Sequence, residues 1–181
     1  MKVLGVSGSP RRDGNSDVAT KTILETLRDL GETEFIRIAD YNIEHCIGCG
    51  RCRKLQRCAI ENDDLQQLLN KWREADLLIV GAPVYWLSPP GVMKDFIDRT
   101  VSVYNHPVPP FKNKKVALVT VAAENGFELQ NELLSRWLRC YGAQLIGDIE
   151  LYAWQKNDLV QDRSQIAKLR EFASEIIGKV N

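Results

Sequence analysis

The chain has 181 residues, no formal net charge and 44% hydrophobic residues. That is the size of one domain with a substantial core. A neutral chain is not pulled onto a phosphate backbone by its overall charge, so nucleic acid is a poor partner. No apolar run approaches the roughly 20 residues of a membrane span.

The first residues carry one lysine and a very short apolar run before Ser7 and Pro10. No signal peptide is expected from them, and a reducing cytoplasm is the expected location. No repeat, low-complexity tract or long linker divides the sequence. The expected organisation is a single domain over 1–181 with a cysteine-rich loop, 45–60, inside it.

Lys2 to Val6 is a short apolar run rich in β-formers, ended by Gly-Ser-Pro punctuation, and predicts a buried strand. The polar loop from Ser7 to Ser16 follows, with Asn15 or Ser16 expected to cap a helix. Ala19, Ile23, Leu27 and Leu30 form that helix's apolar face. Strand, Gly/Ser loop and helix start make an anion site, because free N–H groups and the helix dipole point outward there. G-x-G-x-x-G is absent, and Asn15 stands where a Walker A loop needs lysine. Ser7, Ser9, Pro10, Arg11, Asn15 and Ser16 are therefore candidates for a single terminal phosphate. The plain alternative is an ordinary turn with surface arginines.

Phe35 to Ile38 alternates and predicts the second strand. A helix from Asp63 carries Leu65, Leu68, Leu69 and Trp72 on one face. Asp76 to Gly81 is a continuous apolar run, the pattern of a central parallel strand. It opens into Pro83, Val84, Tyr85, Trp86, Leu87 and Ser88, where aromatic surface and backbone amides suit a flat heteroaromatic ring. Aromatic packing under a loop is the alternative. The next helix is expected to bury Val92, Met93, Phe96, Ile97 and Val101, and Lys115 to Val121 makes a fourth strand. That strand leads to a third candidate ligand loop, Ala122 to Gly126, which contains Glu124. The following helix is expected to bury Leu129, Leu133, Trp137 and Cys140, with Cys140 a core residue. Leu145 to Leu151 is the fifth strand. Residues 152–163, with Tyr152 and Trp154, are a candidate partner surface before a closing helix through Ile166, Leu169, Phe172, Ala173, Ile176 and Ile177.

Four of the five cysteines crowd into Cys46, Cys49, Cys52 and Cys58, spaced C-x2-C-x2-C-x5-C. Such crowding in a chain without export signals points to metal or redox chemistry rather than disulfides. Zinc sites usually pair two separated knuckles, whereas three thiols in series favour an iron–sulfur cluster. Gly48 and Gly50 let backbone approach the sulfurs. Arg51, Arg53, Lys54 and Arg57 make the loop basic, fit to hold thiolates deprotonated or to dock an acidic partner. His45 adjoins the first cysteine and is expected to be exposed, and His106 is expected to have no chemical role.

Strands alternating with helices predict an α/β fold, a doubly wound five-stranded parallel sheet of flavodoxin-like order 2-1-3-4-5 with the cysteine loop between strands 2 and 3. The segments Gly8 to Ser16, Ala82 to Ser88 and Phe96 to Arg99 resemble the NADPH-dependent FMN reductase-like flavoproteins. The four-cysteine motif makes the chain most similar to the iron–sulfur flavoproteins among them. The resemblance implies one FMN and one [4Fe–4S] cluster per chain, and a homo-oligomer, either a dimer or a dimer of dimers. In that family the cluster loop nears the flavin of a neighbouring subunit, and electrons are thought to pass from ferredoxin through the cluster into FMN. Three functions stay open on the sequence. The first is this electron transfer. The second is an NAD(P)H-dependent FMN oxidoreductase acting on quinones or other small acceptors, with a structural or vestigial cysteine loop. The third is a zinc-stabilised flavin-binding module without turnover.

Overall fold

The computed structural model describes residues 1–180. Five strands, β1 (Lys2–Ser7), β2 (Glu32–Arg37), β3 (Leu77–Pro83), β4 (Lys115–Ala122) and β5 (Gln144–Tyr152), pair in the order β2-β1-β3-β4-β5. All neighbours run parallel, so the doubly wound, flavodoxin-like sheet read from the sequence is the one that forms. The helices are α1 (Asn15–Thr26), α2 (Cys52–Leu55), α3 (Leu65–Glu74), α4 (Gly91–Arg99), α5 (Phe127–Cys140), α6 (Asp158–Gln161) and α7 (Arg163–Val180). Among the described residues no helix is long and apolar enough to cross a membrane.

Successive side chains of a strand point to opposite faces, and β3 shows what that requires of a central strand. Leu78 and Val80 pack into one core with Trp72, Phe96 and Trp137 from α3, α4 and α5. Leu77 and Ile79 pack into the other with Ile23 and Leu27 beside α1 and Leu169, Phe172 and Ile176 of α7. The continuous apolar run was therefore needed on both sides. On the first face the rings of Trp72 and Phe111 are 4.7 Å apart and those of Trp72 and Phe96 5.3 Å apart. On the second face α1 lies almost on the sheet. A Cβ at Gly5 would come within 2.5 Å of the Leu24 side chain, so only glycine admits that approach.

Several local expectations are corrected. Gly14, not Asn15 or Ser16, is the N-cap of α1, and it supplies no side-chain bond. Asn15 is occupied elsewhere: its amide donates to Gln155 O at 2.7 Å and its carbonyl accepts from Leu159 N at 3.3 Å. Cys140 and Leu129 are exposed rather than core. The buried stripe of α5 is instead Phe127, Gln130, Leu134, Trp137 and Leu138. Two stripes fit the helical period there. The one containing a glutamine faces inward because Gln130 Nε2 donates to the strand-end carbonyl of Ala82 at 3.1 Å. Val101 also turns outward, since α4 ends at Arg99 and the chain tightens into a 3-10 turn.

Candidate functional site

Two cavities lie at the ends of α4. The first, about 140 Å³, sits at the carboxyl edge of the sheet and is lined by Ser9, Arg11, Gly14, Asn15 and Ser16 from the first loop. Pro83, Val84 and Tyr85 line it from the loop after β3. Val121, Ala122 and Ala123 follow from the end of β4, and Ala153, Trp154 and Lys156 from the segment after β5. The predicted phosphate loop and the predicted ring loop thus meet in one cleft, where open α/β sheets bind ligands. Trp154 was read as partner surface, while Ala153 and Lys156 were not singled out. They come from a fourth strand end, whose arrival only the sheet order dictates.

The first intrahelical bond of α1 runs from Val18 N to Gly14 O at 3.0 Å. The N–H groups of Asn15, Ser16 and Asp17 therefore precede the helix ladder and face the loop. With Arg11 and Lys156 on the same cavity, this suits a phosphate. Ser7 does not reach it. Its side chain is buried and its hydroxyl donates to Asp17 Oδ1, while accepting from Ser9 N at 3.3 Å. Asp17 Oδ2 accepts from Asp13 N at 2.8 Å and lies 3.0 Å from Arg37 Nε. Arg37 Nη2 donates to Ser9 O at 3.3 Å. Asp17 and Arg37 set the loop's shape from below, and the sequence reading missed both.

Pro10, Trp86, Leu87, Ser88 and Glu124 are not on the cavity wall either. Tyr85 N donates to Ser88 O at 2.8 Å and Ser88 N to Tyr85 O at 3.3 Å, closing a two-residue turn. Its central residues Trp86 and Leu87 have φ of 48° and 65°. Such turns normally use Asn-Gly, so a Trp-Leu pair there carries strain of about 1–3 kcal/mol per residue. The turn holds Trp86 out at 98% exposure, next in the chain to Tyr85 on the cavity wall. Pro10, Leu87 and Glu124 are also exposed, and Ser88 is half-buried.

The second cavity, about 370 Å³, is lined by all four clustered cysteines, Cys46, Cys49, Cys52 and Cys58. Gly48 and Gly50 adopt φ of 63° and 66° with open space on their Cβ side. Cys46 and Cys49 are exposed, and Cys52 and Cys58 half-buried. Only Cys58 of the four packs against the core. Arg99, Ser102 and Tyr104 complete the wall. Among the described residues no three His, Cys, Asp or Glu side chains are grouped tightly enough for one metal ion. A tetrahedral zinc site draws its sulfurs to about 2.3 Å from a single centre. Four cysteine sulfurs on one wall are the donor set that an iron–sulfur cluster takes.

Arg99 is 1% exposed. Burial alone would lower its pKa, but the hydrogen bond to Asp63 and the negative charge beside it outweigh that and hold it above the ordinary value. His45 stands outside the cavity, exposed, its Nδ1 2.7 Å from Asp95 Oδ1. That contact raises its pKa. Arg51, Arg53, Lys54 and Arg57 are all exposed, and of these Arg57 forms an ion pair with Glu61. The two cavities share no lining residue. Gly91 begins α4 just after the ring loop and Arg99 ends it at the cysteines, eight residues later, about 12 Å along the axis.

Residues 1–158 match the family described as NADPH-dependent FMN reductase. An iron–sulfur flavoprotein of Methanosarcina thermophila is 33% identical over 151 residues, 82% of this chain and 78% of that protein. The chain belongs to the iron–sulfur flavoproteins of the FMN reductase family. It stands thereby among FMN-dependent oxidoreductases. An iron–sulfur flavoprotein of Methanocaldococcus jannaschii is 42% identical over 101 residues, 55% of this chain and 52% of that protein, so the match spans about half of that relative. Two solved structures share the flavoprotein's fold. One is an apo NADH:FMN oxidoreductase, with TM-score 0.69, 18% identity and coverage of 96% of this chain and 86% of the other. The second is a flavodoxin from the domain Archaea, with TM-score 0.64, 16% identity and 99% coverage of both chains.

Proposed function

We propose that the chain is an electron-transfer flavoprotein that takes electrons from a one-electron donor such as ferredoxin, through a [4Fe–4S] cluster, into FMN and on to an acceptor. The observation that carries this reading is the convergence of all four clustered cysteines on one cavity wall. When bound, FMN exchanges electrons singly or in pairs and the cluster singly.

The chain's own residues do the holding and tuning. The N–H groups of Asn15 to Asp17, the hydroxyls of Ser9 and Ser16 and the cations Arg11 and Lys156 bind the FMN phosphate. Pro10 and Ser7 shape that loop, Ser7 from within. Pro83, Val84 and Tyr85 line the ring's side of the cleft, with Trp86, Leu87, Ser88 and Glu124 at its mouth. Cys46, Cys49, Cys52 and Cys58 ligate the cluster. The half-buried Cys58 keeps one sulfur out of water, and the exposed Cys46 and Cys49 leave the cluster open to a donor and to air. Arg51, Arg53 and Lys54 offer a positive face to an acidic donor.

Separate cavities at the two ends of α4 support assembly as a dimer or dimer of dimers, in which a neighbouring subunit's flavin faces the cysteine cavity. A reducing cytoplasm fits four unpaired thiols. A single domain over 1–181, with the loop 45–60 as its insertion, fits the one sheet.

Iron and sulfide analysis and EPR spectra of anaerobically purified protein, before and after reduction, test this. About four irons and four sulfides per chain are expected. Stoichiometric zinc would overturn the reading. A second function, NAD(P)H-dependent reduction through FMN, is favoured by one likeness. A Bacillus subtilis protein called a putative NAD(P)H-dependent FMN-containing oxidoreductase is 26% identical over 134 residues, 69% of this chain. Rapid bleaching of bound FMN by NADPH without a mediator would select it.

A further inference from the structure

Arg99 closes the cysteine cavity from beneath. It is the last residue of α4, its side chain is fully buried, and it lines the cavity. Its bonds fall on both stems of the cysteine loop. Nη1 donates to Glu44 O at 2.6 Å, just before the first cysteine. Nη2 donates to Ile60 O at 3.3 Å, just after the last. Nη1 also donates to Asp63 Oδ2 at 2.7 Å, and that carboxylate oxygen accepts from Glu44 N at 3.1 Å. Arg99 and Cys58 line the same cavity. Its Nε is buried with no partner.

An ordinary buried ion pair needs only its two members. Here one planar fork ties two stretches of backbone, at residues 44 and 60, that belong to no strand or helix. Lysine has no fork to do this with. The charge is also placed asymmetrically. Arg99 is on the cavity wall and Asp63 is not, so the positive end of the pair faces the sulfurs. Reduction adds an electron to an already anionic cage, and a fixed cation on the cavity wall favours the reduced form.

We propose that Arg99 is a positioning residue for the iron–sulfur cluster, clamping both stems of the cysteine loop and raising the cluster's reduction potential from the cavity wall. This rests on the reading of the cysteine cavity as a cluster site.

Two variants separate clamp from charge. Arg99→Leu with Asp63→Asn removes both charges and keeps an acceptor for Leu65 N, which donates to Asp63 Oδ1 at 3.2 Å. Arg99→Lys keeps the charge and loses the fork. Each is purified anaerobically as the full chain, with FMN content measured as the check on folding. The step read is uptake of one electron by the cluster from dithionite, with no bond made or broken, followed by EPR. The double variant is expected to bind iron with a cluster about tenfold harder to reduce, or about 59 mV lower for one electron. Arg99→Lys is expected to keep the potential nearer wild type and lose its iron to a chelator several-fold faster. A double variant with wild-type iron content and potential, and a lysine variant with wild-type iron release, would overturn the role of Arg99 alone. Wild-type protein without iron and sulfide would overturn the cluster reading, and Arg99's role with it. If the double variant yields no FMN-bound protein, the lysine variant decides the matter by its iron-release rate.

Discussion

Arg37 Nε lies 3.0 Å from Asp17 Oδ2, with side-chain exposures of 6% and 0%. The pair sits under a loop read here as a phosphate site, and its logic is electrostatic. A buried carboxylate in the first turn of α1 would repel the phosphate that the same turn attracts. Arg37 neutralises it and binds Ser9 O as well. Asp17→Ala should destabilise the apoprotein by about 1–3 kcal/mol, because Ser7 Oγ and Asp13 N lose their acceptor while Arg37 keeps Asp40 Oδ1 at 2.8 Å. Removing both charges with Asp17→Leu and Arg37→Met should recover part of that loss. FMN affinity should fall in both, since the loop loses its floor. Urea unfolding and flavin fluorescence titration measure the two effects separately.

The turn carrying Trp86 holds positive φ at two non-glycine residues. Trp86→Gly should relieve one of these strains and stabilise the apoprotein by about 0.5–1 kcal/mol. The same change removes an exposed indole at the cavity mouth, so FMN should bind more weakly. Stability and affinity moving in opposite directions would mark the turn as a feature kept for function. Parallel loss of both would contradict that.

Gly126 has φ of 90°, and a Cβ there would lie 2.7 Å from Val84 Cγ1 and 3.1 Å from Leu87 Cδ2. Gly126→Ala should therefore displace the ring loop at long range in sequence. Weakened FMN binding is expected, with the sheet's far-UV signal retained. Unchanged affinity would show that the ring loop tolerates the shift.

Cys140 is exposed at the end of α5 and does not line the cavity of the four clustered thiols. In cluster-loaded protein, iodoacetamide should label this cysteine first, and the other four only after iron is removed. Mass spectrometry of the labelled chain reads the order. Cys140→Ser should leave iron content unchanged.

Asp162 caps α7, accepting from Ser164 N at 2.9 Å, Ser164 Oγ at 2.7 Å and Gln165 N at 3.2 Å. Those bonds, the Ser164 hydroxyl's foremost, hold its pKa down to about 2. A depressed carboxylate stabilises the fold fully above its unfolded value of about 3.9, and that contribution is lost as pH falls through about 2. The gap in urea midpoint between wild type and Asp162→Ala should be widest near neutral pH and shrink as pH falls from about 4 toward 2. A constant gap would refute the charge-dependent cap.

The sheet order, the loops after β1 and β3 and the four-cysteine spacing were all legible in the chain itself. Each rests on short-range chemistry: apolar runs, Gly/Ser punctuation and thiols at fixed steps. What the sequence withheld depends on partners distant along it. Arg37 reads as one alternating residue of an edge strand, yet it meets Asp17 across the sheet. Arg99 stands out in the sequence only as the end of the family-like segment Phe96 to Arg99, yet it meets Glu44, Ile60 and Asp63 at the two stems of the cysteine loop. The choice between two apolar stripes on α5 was settled by Ala82, a carbonyl at the end of another strand. A side chain's burial and charge balance are set by whatever the fold brings against it, and residues tens of positions apart meet only when the sheet closes its order.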